Sequence, residues 1–169
     1  MKNLVLIGMP GSGKSTCGVL LAKALCMDFI DTDLVIQRQE GMPLQSVINE
    51  RGNDYFAAAE ERAICSLDLE NSVIATGGSV VYSDSAMAHL RSNALTVYLR
   101  ISCDTMVCRI ADMSSRGILL REGETLEGMY DERISLYEKY ADHIVKCDDK
   151  SVEETVSEIV GIVLGSEVV

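Results

Sequence analysis

Apolar residues gather in five short runs, Asn3–Ile7, Asp28–Ile30, Ser72–Thr76, Leu95–Ile101 and His143–Cys147. Each is separated from the next by at least one stretch whose apolar positions repeat at helical spacing. Short apolar runs without strict polar alternation suit strands buried on both faces, and their alternation with helices predicts an α/β fold. The expected architecture has three layers: a five-stranded parallel sheet flanked by helices. Gly41-Met42-Pro43 breaks the chain after the second run, and helical patterns follow over Pro43–Glu50 and Asp54–Glu70. Two helices in one crossover suggest a small substrate-binding lobe, about residues 32–70. Ser102 is placed to cap a helix over Cys103–Met113. Ser151 and Glu154 form a capping box for the last helix, and the tail from Gly165 is expected to fray.

Composition narrows the possibilities. The 169 residues fit one domain spanning 1–169, and 47% apolar content is ordinary for a globular chain. No apolar run approaches the roughly 18 residues of a membrane span, so no membrane association is expected. Met1-Lys2 leads straight into the first strand, without a targeting segment, which predicts a cytoplasmic protein. A net charge of −11 disfavours nucleic acid, whose phosphates are held by basic surfaces. Any anionic substrate must therefore meet a local positive pocket. Cys17, Cys26, Cys65, Cys103, Cys108 and Cys147 include no C-x-x-C pair, and His89 and His143 are the only histidines. Neither a disulfide framework nor zinc is supported, and the cysteines read as small buried filler rather than nucleophiles. Nothing in the chain predicts a protein partner.

The strongest chemical signal lies at the first strand–helix junction. Gly8 to Ser15 reads Gly-Met-Pro-Gly-Ser-Gly-Lys-Ser, a complete phosphate-binding loop between a strand and a helix over Lys14–Leu25. Its glycines let successive amide N–H groups turn inward, and the helix directs its positive dipole end to the same point. Gly11, Ser12, Gly13, Lys14, Ser15 and Thr16 are the candidate nucleotide-binding residues. Lys14 would reach the β- and γ-phosphates, and the Ser15 hydroxyl would hold Mg²⁺.

In a doubly wound sheet ligands bind beyond the carboxyl ends of the strands. After the second strand, Asp31 and Asp33 would point the same way in extended chain, one toward Mg²⁺ and one toward a substrate hydroxyl. A helix cap is the other reading of Asp31. After the third, Gly77 and Gly78 allow a ligand close to the backbone, although turn formation alone would also explain them. Residues 114–123 interrupt helical periodicity and carry Arg116 and Arg121. They read either as a lid that closes over a triphosphate or as an ordinary solvent loop.

Taken in order, the loop Gly8–Thr16, the Asp31/Asp33 pair, Phe56 with Glu60, the Gly77-Gly78 turn, Arg116, and Arg133 followed by Leu136-Tyr137 resemble the shikimate kinase family. These are small ATP-dependent kinases of the nucleoside-monophosphate-kinase fold. The resemblance runs from Lys2 to about Val163. It implies ATP and Mg²⁺ as cofactors, with Lys14 and the loop amides on the phosphates and Ser15 with Asp31 serving the metal. It further implies Asp33 as the base for the accepting hydroxyl, Gly77 and Gly78 lining the acceptor pocket, and Arg133 on the acceptor carboxylate. Arg116 would reach the phosphates from the lid, and Arg109 would stack on adenine. The implied catalytic set is Lys14, Asp33 and Arg116, and the implied reaction converts ATP and shikimate to ADP and 3-phosphoshikimate.

Three positions depart from the family pattern. Ala57 stands where the family has an arginine that grips the shikimate carboxylate, Ser79 replaces the third glycine, and Gly117 replaces a lid proline. The departures fall on the acceptor and lid side while the ATP half matches. A second reading is therefore a related kinase acting on a different small hydroxylated metabolite, with a nucleoside-monophosphate kinase third. A GTPase would need Asn-Lys-x-Asp and a post-strand Asp-x-x-Gly, and neither occurs. A non-catalytic nucleotide-binding regulator would not need Lys14, Ser15, Asp31 and Asp33 together.

Overall fold

The computed structural model describes residues 2–111, 120 and 122–166. Five parallel strands, β1 (Asn3–Ile7), β2 (Asp28–Asp31), β3 (Ser72–Ala75), β4 (Ala94–Arg100) and β5 (His143–Lys146), form one sheet in the order β2-β3-β1-β4-β5. Leu4 pairs with Val73 on one side and Leu95 on the other. All five residues of β1 are buried, as expected for a central strand covered on both faces.

The strand order determines where each helix lies. The β1→β2 crossover runs one way across the sheet, and β2→β3, β3→β4 and β4→β5 run the other. Right-handed crossovers therefore put α1 (Lys14–Leu25) on one face. The helices of the remaining crossovers lie on the opposite face. They are α2 (Thr32–Glu40), α3 (Leu44–Arg51), α4 (Asn53–Cys65), α5 (Asp84–Arg91), α6 (Cys103–Ala111) and α7 (Leu126–Tyr140). The last helix, α8 (Val152–Ser166), returns to pack on α1, and α4 packs on α5. Main-core side chains such as Leu6, Ile7, Leu21, Val97 and Leu99 are fully buried. A smaller apolar cluster, Ile36, Leu44, Val47, Phe56 and Ala63, joins α2, α3 and α4.

Three helices, not two, separate β2 from β3. Thr32–Glu40 carries a weak apolar period, and its helix is secured by Asp31, whose carboxylate accepts from the Asp33 amide at 3.0 Å. The helix expected to reach Glu70 ends at Cys65, where the Ser66 hydroxyl donates to the Ala63 carbonyl. Gly165 lies inside α8, so the helix runs further than the expected fraying allows. The expected end of the Cys103 helix at Met113 falls outside the described residues.

Both anticipated caps form. The Ser102 hydroxyl accepts from the Thr105 amide at 3.2 Å. At α8 the Ser151 hydroxyl accepts from the Glu154 amide at 3.1 Å, and the Glu154 carboxylate accepts from the Ser151 amide at 2.7 Å. Ser151→Ala is therefore expected to cost about 1 kcal/mol and lower the melting temperature by about 2–4 °C. An unchanged thermal melt would mean that this cap contributes nothing.

Candidate active site

β1 and β3 are neighbours whose following helices leave on opposite faces of the sheet, so a crevice opens between their carboxyl ends. The cleft there measures about 250 Å³. It is floored by the loop after β1 and walled by the turn after β3, with α2, α4, α6 and α7 closing the sides.

The floor has the geometry of an anion cradle. Gly8, Gly11 and Gly13 hold φ of 148°, 77° and 90°, which L side chains rarely adopt. Lys14, at the first turn of α1, is buried. In this ligand-free structure its Nζ donates to the carbonyls of Gly8 at 2.7 Å and Met9 at 2.8 Å, and to the Ser12 hydroxyl at 3.4 Å. The ammonium is thus already held within the loop. Gly11, Gly13, Lys14, Ser15 and Thr16 line the cleft, and Ser12 lies beneath it, 3% exposed.

Asp31 has two roles, because its two oxygens face different ways. Oδ1 caps α2, while Oδ2 accepts from the Ser15 hydroxyl at 2.7 Å. A hydroxyl and a carboxylate at the edge of a phosphate cradle are hard oxygen donors of the kind Mg²⁺ prefers. Among the described residues no cluster of three or more His, Cys, Asp or Glu could hold a metal. The Ser15–Asp31 pair supplies two such oxygen donors.

Asp33 reaches the cleft by a different route from the extended-chain geometry expected for it. It sits in the first turn of α2, two residues past the end of β2, and the helical turn swings its carboxylate over Gly77. A Cβ on Gly77 would stand 2.6 Å from Glu60 Oε1 and 3.0 Å from Asp33 Oδ1, so glycine is required for both carboxyl groups to approach this turn. Two bonds fix the turn itself. Thr76 donates through its hydroxyl to the Leu6 carbonyl at 2.9 Å, and the Gly77 amide donates to the Thr32 hydroxyl at 3.3 Å.

At the far end stands Arg133 of α7, 1% exposed. Its Nε donates to the Tyr82 hydroxyl at 3.3 Å, and the guanidinium lies 5.2 Å from the Tyr82 ring centroid. Burial works against its charge, but Tyr137 and Tyr82 more than offset that and raise its pKa above the ordinary value. The Tyr137 hydroxyl donates to the Gly78 carbonyl at 2.6 Å, and its ring stacks on Tyr98. Arg109 lies outside the cleft wall, donating to the Gly11 carbonyl at 2.9 Å and thereby bracing α6 against the phosphate loop. Arg116 and most of the lid interval lie outside the described residues. Leu120 is described, and its carbonyl accepts from the Asn53 side chain at 2.9 Å.

Glu60 belongs to the site and has no isolated signal in the sequence. It is 4% exposed, lines the cleft, and accepts from the Ser79 hydroxyl through Oε2 at 2.7 Å, while Oε1 has no hydrogen-bond partner. Burial raises its pKa to about 7; the Ser79 bond opposes the rise, nearby Asp33 adds to it, and Arg133 opposes it. Tyr137 lies four residues after Arg133 on α7, a spacing that places both on one helix face, whereas no spacing along the chain relates Tyr82 to Arg133. Ala57 is exposed and does not line the cleft. The buried-filler expectation holds for Cys17 and Cys147 but not for Cys26, Cys65 and Cys108, which are exposed. Burial pushes the Cys17 thiol up to about 11, away from nucleophilic use.

The arrangement runs in one line: a phosphate cradle with a metal-suited oxygen pair, then two carboxyl groups at the glycine turn, then a buried guanidinium. That order suits transfer of a phosphoryl group to a small hydroxylated anion.

Comparison with known proteins agrees. The family model for shikimate kinase matches residues 10–163. The shikimate kinase of Clostridium botulinum (strain Eklund 17B / Type B) is 36% identical over 168 residues, covering 98% of this chain and 100% of the relative. The crystal structure of shikimate kinase from Aquifex aeolicus superposes with a TM-score of 0.84 at 33% identity, covering 98% of each chain. A shikimate kinase from Acinetobacter baumannii, solved in complex with shikimate, gives a TM-score of 0.89 over 98% of this chain and 94% of its own. At 24% identity it speaks for the fold alone.

Proposed function

Because the chain belongs to the shikimate kinase family, whose members are phosphotransferases acting on an alcohol group, we propose that it transfers the γ-phosphoryl group of ATP to a hydroxyl of shikimate. The carrying observation is that Lys14, Ser15, Asp33, Gly77, Gly78 and Arg133, drawn from four separate parts of the sequence, line one cleft of about 250 Å³. Among the described residues no helix is long and apolar enough to cross a membrane, and we place the reaction in the cytoplasm.

In this reading the loop amides from Gly11 to Thr16 and the Lys14 ammonium hold the phosphates, and Arg109 flanks the base. Ser15 and Asp31 would hold Mg²⁺, which would supply positive charge to the transferring phosphoryl group. Asp33 accepts a hydrogen bond from the acceptor hydroxyl and takes its proton as the oxygen attacks phosphorus. Gly77 and Gly78 let the acceptor ring approach the backbone, and Arg133 pairs with its carboxylate. Arg116 is assigned to the phosphates on the sequence pattern alone, and residues 32–70 act as the acceptor lobe with 114–123 as the lid.

The second reading, a different hydroxylated acceptor, is favoured by one observation: among the described residues lining the cleft, Arg133 is the sole guanidinium. Acceptor-dependent ADP release across a panel of hydroxylated metabolites separates the two. Shikimate is expected to give the highest kcat/KM. A higher value for another member of the panel would transfer the assignment to that compound.

A further inference from the structure

Glu60 is a buried carboxyl group set among the charges of the acceptor pocket, and its own helix offers no cation to neutralise it. The positions that share its helical face are Phe56 and Ala57 before it and Ala63 and Ile64 after it, all apolar. Ser79 donates to one oxygen at 2.7 Å, and the other has no hydrogen-bond partner. That second oxygen and Asp33 Oδ1 flank Gly77, while Arg133 Nη1 lies 3.1 Å from where a Cβ on the next residue, Gly78, would stand. Two carboxyl groups and one guanidinium thus meet at a two-residue turn.

We propose that Glu60 is a specificity-determining residue that must be neutral for an anionic acceptor to bind beside it. This rests on the reading of the acceptor as a carboxylate-bearing compound held by Arg133. An ionised Glu60 would compete with that carboxylate for the guanidinium and add a third negative group to a pocket that already holds Asp33. A neutral Glu60 leaves Arg133 to the ligand. The charged groups lining the same cleft are Lys14 from α1, Asp33 from α2 and Arg133 from α7, with the Tyr82 hydroxyl beyond Arg133. Arginine stays charged throughout the accessible pH range. Burial and the neighbouring Asp33 hold the Glu60 carboxyl up at about 7, so its charge changes within the range in which the enzyme can be assayed.

The sign follows from the binding-competent fraction. Below pH 7 most molecules carry neutral Glu60. Above it the competent fraction falls about tenfold per pH unit, and apparent KM rises in inverse proportion. KM for shikimate, measured at saturating ATP and Mg²⁺, is expected to rise about tenfold from pH 6 to pH 8 in the wild type. In Glu60→Gln it is expected to stay flat over that range. A wild-type KM constant within about twofold, or a Glu60→Gln KM that climbs as steeply as the wild type, would overturn the proposal. A second measurement needs no acceptor and no variant that must fold: carboxyl-¹³C glutamate resonances of the ligand-free wild-type protein, followed against pH. One glutamate should titrate with a midpoint above pH 6, and if none does the proposal fails. Absence of any shikimate-dependent ADP release from pH 6 to pH 9 would instead defeat the acceptor assignment, and the glutamate titration would then decide the proposal.

Discussion

Lys14→Ala is expected to lower kcat by about 10²- to 10³-fold. The γ-phosphoryl group in flight spreads negative charge over its oxygens, and Lys14 is the cation that the phosphate loop itself carries to that point. Removing one fixed donor or charge from such a water-poor site typically costs about 3–4 kcal/mol of transition-state stabilisation. The ligand-free geometry adds a second consequence. The Nζ group donates to the carbonyls of Gly8 and Met9, so the alanine variant loses two bonds that hold the empty loop in shape. A fall of a few degrees in melting temperature should accompany the loss of turnover, and ATP should raise the melting temperature less than it does in the wild type. Steady-state kinetics with a parallel thermal melt provides the check. A variant that keeps more than about a tenth of the wild-type rate has lost less than about 1.4 kcal/mol, too little for the role assigned to Lys14.

For Asp33→Asn the expected result is a kcat lower by roughly 10² or more, with KM for ATP little changed. Asparagine keeps the size of aspartate and can still hydrogen-bond the acceptor hydroxyl, but it cannot take the proton. The structure makes this substitution a clean test. Asp31, not Asp33, supplies the side-chain cap of α2, and Asp33 takes part in that cap through its backbone amide, which asparagine retains. The helix should therefore be unperturbed, and circular dichroism and the melting temperature should match the wild type closely. An unchanged kcat would leave Asp33 as an acidic residue favoured at a helix N-terminus and nothing more.

The residues that carry the chemistry differ in how they could be found. The phosphate loop was legible because its function is local. Loop, amides and Lys14 come from eight consecutive residues whose conformation is set by glycines and by the strand and helix on either side. The same holds for the caps at Ser102 and Ser151 and for the inner strands β1, β3 and β4, which announce themselves as short apolar runs because they are buried on both faces along most of their length. Asp31 was legible as a helix cap, and the structure shows that the same side chain caps α2 through one oxygen and accepts from Ser15 through the other.

What the chain order could not supply is the acceptor end of the cleft. Arg133 stands 55 positions after Gly78 in sequence and beside it in space because β3, β1 and β4 lie side by side and α7 packs on β4 and on the helical turn Val80–Tyr82 that follows β3. Tyr82, 51 positions away in sequence, supports it through the same non-local packing, while Tyr137 shares its helix four residues on. Glu60 illustrates the point most sharply. In sequence it enters beside Phe56 as part of an ordered pattern, and nothing in that pattern gives it a role or a charge state. Tertiary packing turns that face of α4 inward, strips water from the carboxyl group, and gives it Ser79 on one side and Asp33 and Arg133 nearby. The sequence by itself determined the fold, the nucleotide site and the class of reaction, because these depend on short-range periodicity and on contiguous motifs. Only the tertiary structure decided the charge balance of the acceptor pocket, because burial and the distance between charges are properties of packing and no residue carries them alone.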